Sequence, residues 1–173
     1  MIENMLVEIS IIVVLILANG FFAASEIAVV SARKGRLEQY AQERRRGATT
    51  ALELAKNPNR FLSTVQVGIT LIGTFAAAFG GDRLAEPLAA SLSAAAPALG
   101  EYANGIALGI VVIAITYLSL IIGELVPKRI ALQNAEGMAS FVAPVMRMLA
   151  RLGAPVVWLS RFPRRESDSQ ARR

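Results

Sequence analysis

Two carboxylates sit in stretches otherwise too apolar to hold charge. Glu26 falls near the end of the apolar run 5–30, and Glu124 near the end of 105–126. An ionisable side chain within a bilayer span is costly, so each is a candidate site by default. Ser63, Thr64 and Gln66 lie early in a third apolar run, 61–80. If that run enters from the side on which the other two end, all these oxygen groups share one depth. Ser63, Gln66 and Thr70 follow i, i+3, i+7 spacing and share a helical face. Asn19 and Glu26, seven apart, share another, whereas Ser25 lies about 100° round from Glu26. The Asn19-Gly20 pair could loosen the helix enough to bring Ser25 in. Pro127 adds a backbone oxygen. Lacking an N–H, it leaves the carbonyl four residues back, that of Gly123, without its helical partner. At membrane depth that carbonyl must be satisfied by a neighbour, water or an ion. Hydroxyls, amides, one carbonyl and up to two carboxylates make an all-oxygen, negatively charged site. That donor set suits a hard cation such as Mg²⁺ and does not separate it from Ca²⁺ or Na⁺.

Plainer readings exist for the same residues. Serine and threonine in spans commonly bond their own i−4 carbonyl or a neighbouring helix. Glu26 or Glu124 could be an interfacial carboxylate paired with Arg33, Lys128 or Arg129. Gly68, Gly73, Gly105 and Gly109 could serve close helix approach alone.

The elements that must position these groups follow from hydropathy. The 173 residues are 54% hydrophobic, with a mean hydropathy of +0.50, more than a soluble domain of this size needs. Apolar runs of about 20 residues indicate bilayer spans. Three are expected, at about 5–30, 61–80 and 105–126, in an all-α membrane protein. The first has no basic leader, so it reads as a retained span and not a signal peptide. Residues 81–104, with Pro87 and Pro97, read as a polar and Ala-rich connection. Cytosolic juxtamembrane amphipathic helices are expected at about 33–57 and 130–160, with a basic tail at 161–173. The stretch 138–160 is apolar, but Arg147 and Arg151 lie one turn apart within it. Each would cost about 2.5–3.5 kcal/mol at a bilayer centre, and Pro144 and Pro155 would interrupt a span. An amphipathic helix lying in the interface, with both arginines toward lipid phosphates, fits better.

Charge placement gives the orientation. The segment 33–60 holds Arg33, Lys34, Arg36, Arg44, Arg45, Arg46, Lys56 and Arg60. Nine more basic residues follow the third run, and the 81–104 connection has Arg83 alone. Three spans put both basic regions in the cytosol and the N-terminus outside, whereas a fourth would export the basic tail. The chain is thus expected as a multi-pass protein of the inner (plasma) membrane. Its basic helices would face anionic lipid headgroups. Aromatic interleaving of the kind that stacks bases is absent, so nucleic acid is not an expected partner. There are no cysteines and no histidines, which removes disulfides, thiolate and imidazole metal ligands and the Ser-His-Asp and Cys-His forms of catalysis. No nucleophile–base pair is evident, so an enzyme is not expected.

Three segments carry a family resemblance. Residues 19–33, NGFFAASEIAVVSAR, residues 62–73, LSTVQVGITLIG, and residues 123–128, GELVPK, resemble in order the motifs of the CNNM/CorC family. The resemblance covers roughly residues 5–160. It implies a homodimeric magnesium transporter, with Mg²⁺ as the transported ion and Na⁺ as a coupling ion for export. It also implies three transmembrane helices with a juxtamembrane helical belt, and a dimer contact on the second and third spans. By motif, the implied ion-site residues are Asn19, Ser25 and Glu26, then Ser63 and Gln66, then Gly123 and Glu124, with Pro127 as the supporting helix break. Full-length relatives of that family are expected to continue into a cytosolic CBS-type domain that binds nucleotide, a segment these residues do not include. The competing function is a membrane scaffold or magnesium sensor that modulates another transporter. There the polar residues would serve packing alone.

Overall fold

The structure, a computed structural model, describes residues 2–152. These are helical almost throughout. The chain runs α1 (Ile2–Ser31), α2 (Lys34–Gln42), α3 (Ala48–Lys56), α4 (Pro58–Ala95), a short 3₁₀ segment (Pro97–Tyr102), α5 (Ala103–Leu120), a π-helical turn (Ile121–Leu125), α6 (Val126–Gln133) and α7 (Ala135–Leu152). Among the described residues three stretches are long and apolar enough to cross a membrane: Met5–Ser31, Phe61–Ala95 and Pro97–Gln133.

Two of these exceed the expected spans. α4 does not stop at residue 80 but continues to Ala95, passing Pro87. Its 38 residues reach about 57 Å at 1.5 Å per residue, against roughly 30 Å of hydrocarbon. An interior proline costs about 3 kcal/mol, but the Ala- and Leu-rich sequence around it has the highest helix propensity. Packing on α5 holds the extension, with Phe79, Leu84 and Leu88 against a small core of Ile12, Ile16, Val111 and Ile115. Gly80 allows this approach, since a Cβ there would collide with Ile115 Cδ1. The third rod likewise runs on through α6 to Gln133. The next helix therefore starts at Ala135 and not near 130.

The larger core lies at the other end, where α1, α3, the start of α4, α6 and α7 meet. Alanines spaced four apart (Ala131, Ala135, Ala139, Ala143) let α7 and the end of α6 lie close, and Leu37, Val29, Phe61, Val65, Val142 and Met146 fill the space. The segment 33–57 forms two short helices and not one. The break falls where Arg44 and Gly47 take positive φ, 55° and 79°. Gly47 is doubly required, because a Cβ would also collide with the Ser140 carbonyl of α7. α7 runs through Pro144 without ending. Arg33 ties α1 to α7 by donating from Nε to Glu136 Oε1 at 2.9 Å. Glu136 is buried, and the Arg33 hydrogen bond holds its carboxyl below the usual range despite the opposing effect of burial. Residue 155 and the expected tail lie outside the described residues.

Candidate functional site

The chemistry-bearing residues gather where α1 passes the π turn. Gly20 lets the two backbones touch: a Cβ there would lie 2.9 Å from Pro127 Cγ and 3.2 Å from the Ile122 carbonyl oxygen. α1 is unbroken through Asn19-Gly20, so this glycine serves close approach and does not loosen the helix. Opposite it, Gly123 is buried, and a Cβ there would meet Asn19 Nδ2 and the Ile16 carbonyl, each at 3.2 Å. The π turn directly precedes Pro127, and Val126 N–H donates to the Ile121 carbonyl, five residues back. A widened turn followed by proline disturbs the regular ladder, and the Gly123 carbonyl finds a partner outside its own helix. Asn19 Nδ2 donates to it at 3.2 Å. The Gly123 carbonyl thus has a hydrogen-bond donor from a neighbouring helix, the Asn19 side chain.

Asn19 is itself 9% exposed, and its Oδ1 is buried without a hydrogen-bond partner. A buried polar oxygen left unpaired costs on the order of 1–3 kcal/mol. Asn19 therefore presents one satisfied end and one open acceptor, beside a carbonyl.

The carboxylates form an adjoining layer. Lys128 Nζ donates to Glu124 Oε1 at 2.6 Å and stands 4.0 Å from Glu26 Oε2. Two carboxylates about one ammonium leave one net negative charge. All three side chains are partly exposed, at 27% for Glu26, 43% for Glu124 and 30% for Lys128. Of the partners considered from sequence, Lys128 takes both carboxylates, while Arg33 goes to Glu136. Among the described residues no group of three or more acidic, histidine or cysteine side chains forms. Any cation here would rely on carbonyl, amide, hydroxyl or water oxygens beyond the two carboxylates.

The remaining candidates are placed differently. Ser25 is fully buried and donates to its own i−4 carbonyl, Phe21, at 2.6 Å. Ser63 is exposed and donates to the Asn59 carbonyl at 3.0 Å. Gln66 and Thr70 are exposed too, and the buried polar side chain of this part of α4 is Thr64. The single chain therefore brings Asn19 to Gly123, and Glu26 to Lys128 and Glu124, and leaves Ser63 and Gln66 facing outward. Gly68 packs against the Phe22 ring, whereas Gly73, Gly105 and Gly109 have open space where a Cβ would stand. The π turn was not legible beforehand. Pro127 and Gly123 were the one signal, and they report a broken ladder without saying how the chain accommodates it.

Comparison with known proteins supplies the rest. Residues 10–163 match the family described as the cyclin M transmembrane N-terminal domain. Similar proteins include the UPF0053 protein sll0260 of Synechocystis, 53% identical over 88% of this chain and 34% of that protein. The UPF0053 protein YhdT of Bacillus subtilis is 32% identical over 84% of this chain and 32% of its own length. A protein of Haemophilus influenzae named as a polyamine export protein is 28% identical over 91% of this chain and 36% of its own. The chain spans about a third of the length of these relatives.

Proposed function

The chain belongs to the cyclin M transmembrane-domain family, and from that premise we propose that it is the membrane part of a transporter for a hard divalent cation, Mg²⁺ first. In this reading the N-terminus is outside, the basic segments face the cytosol, and Na⁺ drives Mg²⁺ outward. One observation carries it: the unpartnered, buried Asn19 Oδ1 beside the Gly123 carbonyl. Structural packing alone has no use for an orphaned acceptor at membrane depth, whereas a cation would satisfy it. Glu124 supplies charge one residue on, and Glu26 adds long-range attraction. Ser25 would have to give up its helical hydrogen bond to join.

Ser63 and Gln66 enter this reading through a second copy of the chain. Polar side chains on an outward face of a span are disfavoured in lipid, and the bare faces at Gly73, Gly105 and Gly109 suit close helix packing. A homodimer paired through α4 and the third rod would cover both. Native mass spectrometry in mild detergent should then show dimers. Monomers alone would count against this part.

A second substrate class is favoured by Lys128. Its ammonium already occupies the carboxylate pair, so the pair accepts a primary ammonium, as an organic polyamine would present. The test is proteoliposome flux with Mg²⁺ and spermidine offered in parallel, with and without a Na⁺ gradient. We expect Mg²⁺ flux that depends on the gradient and falls at least tenfold in Glu124→Gln. Flux of spermidine without Mg²⁺ would replace the cation reading. Absence of both would favour a scaffold or sensor.

A further inference from the structure

Away from the α1–π-turn site, α3, the start of α4 and α7 line a half-open cavity of about 250 Å³. Its floor is apolar, with Phe61 and Ala150, and its rim is polar, with Glu53, Asn57, Arg147 and Arg151. We propose that this cavity binds the phosphate headgroup of one anionic membrane lipid.

Three observations carry the assignment. The first is position. Phe61 is where the apolar stretch of the second candidate span begins, so the cavity lies at the end of that stretch which adjoins the basic segment 33–60. A molecule entering it there from the bilayer plane presents a headgroup first. The second is charge. Arg147 is paired with Glu53. Arg151, one turn on along the same face, is exposed and has no ion pair among the described residues. Two guanidiniums against one carboxylate leave a net positive charge, which matches a phosphodiester. Guanidinium also presents the forked donors that phosphate oxygens accept in pairs. The third is the mixed lining. Liquid water takes about 30 Å³ per molecule, so the cavity has room for a phosphodiester. The apolar floor suits the glyceryl part of a lipid and offers nothing to free phosphate. Basic residues elsewhere are arranged otherwise: Arg45 pairs with Glu43 and lies over the Tyr40 ring, and Arg36 sits 5.9 Å from the same ring.

The test uses the full chain in mild detergent, titrated with phosphatidylglycerol and separately with phosphatidylcholine, and read by native mass spectrometry. Arg36→Gln and Glu43→Gln serve as charge-matched controls on and just beyond α2. Binding of one phosphatidylglycerol per chain is expected, about tenfold weaker in Arg151→Gln and tighter in Glu53→Gln, which releases Arg147. Thermal stabilisation by phosphatidylglycerol should follow the same order, and circular dichroism checks that each variant is folded. Equal losses in Arg151→Gln and Arg36→Gln would mean diffuse surface charge and overturn the site. Equal retention of phosphatidylcholine would overturn the role of charge. Displacement by millimolar inorganic phosphate would make the cavity a free-anion site and overturn the lipid assignment.

Discussion

Asn19→Asp separates a cation ligand from a helix clasp at nearly constant volume. In the parent, Asn19 Nδ2 donates to the Gly123 carbonyl at 3.2 Å, in a position 9% exposed. The aspartate loses that donor and sets two oxygens against each other, with a buried charge between the helices. Leaving a buried charge uncompensated costs about 3–5 kcal/mol. For a chain of this length each kcal/mol moves the melting temperature by about 2–4 °C, so a fall of roughly 6–20 °C is expected without divalent cation. If Oδ1 faces a cation position, the carboxylate gains a partner when Mg²⁺ is added. Ligand at a hundred times its Kd stabilises by about 2.7 kcal/mol, which recovers roughly 5–11 °C. The assay is thermal unfolding in detergent across a Mg²⁺ titration, with choline chloride holding ionic strength. At any one Mg²⁺ concentration the variant's upward shift should exceed the parent's. Asn19→Leu should lose the Mg²⁺ shift altogether. An Asn19→Asp variant destabilised to the same extent at every Mg²⁺ concentration would show that Asn19 only clasps the helices, and the cation reading of its open oxygen would fall.

Pro127→Ala restores an N–H after the π turn and removes the ring that packs on Gly20. It should raise the melting temperature while weakening Mg²⁺ binding in calorimetry; unchanged binding would detach the Gly123 carbonyl from the site. Glu136 has its carboxyl held low by Arg33, so the folded state binds protons less readily than the unfolded one. The stabilisation is complete above the ordinary carboxylate pKa and is lost as the pH falls through the lowered folded value. Arg33 is 69% exposed, so the link contributes about 1 kcal/mol, below the usual range for a charged hydrogen bond. Melting curves from pH 7 to pH 3 should converge for the parent and Glu136→Gln at the acid end, and parallel curves would refute the linkage. For orientation, a cysteine at Ser91 should react with an impermeant thiol reagent from outside and one at Gln42 should not, and the reverse pattern would invert the topology.

Hydropathy made the three candidate spans and their order legible, because it sums over about twenty residues and survives local error. Boundaries were less legible. Residues 81–95 carry Gly81, Asp82 and Pro87, which punctuate a chain in water, yet alanine propensity and packing on α5 carry the helix through them. At the site, Pro127 pointed to a Gly123 carbonyl in need of a partner, which could have been a neighbour, water or an ion, and did not single out Asn19. Which partner it finds depends on Gly20, whose missing side chain sets the distance between helices. That is a tertiary fact. Ser63 and Gln66 illustrate the opposite limit. Their spacing shows that they share a face, but not which way the face points.

The two polar layers are joined through one residue. Glu124 follows Gly123 in the chain, so its backbone belongs to the amide–carbonyl layer. Its carboxylate reaches Lys128 one turn further on. Along α1 the same two layers are Asn19 and Glu26, about 10.5 Å apart at 1.5 Å per residue. An ion held by the Asn19 oxygen and the Gly123 carbonyl would need negative charge close by, and Glu124 is the residue that follows Gly123. Glu124 supplies that charge fully only by loosening from Lys128, and the ammonium then remains within reach of Glu26, at 4.0 Å. In this arrangement Lys128 already compensates one of the two carboxylate charges. On the proposed cation reading, binding would be an exchange of one cation for another at Glu124, and not the filling of a bare anionic hole. Such an exchange would limit affinity and so permit release, which a transporter requires and a structural metal site does not. Lys128 is therefore consistent with a transport site and does not argue against one.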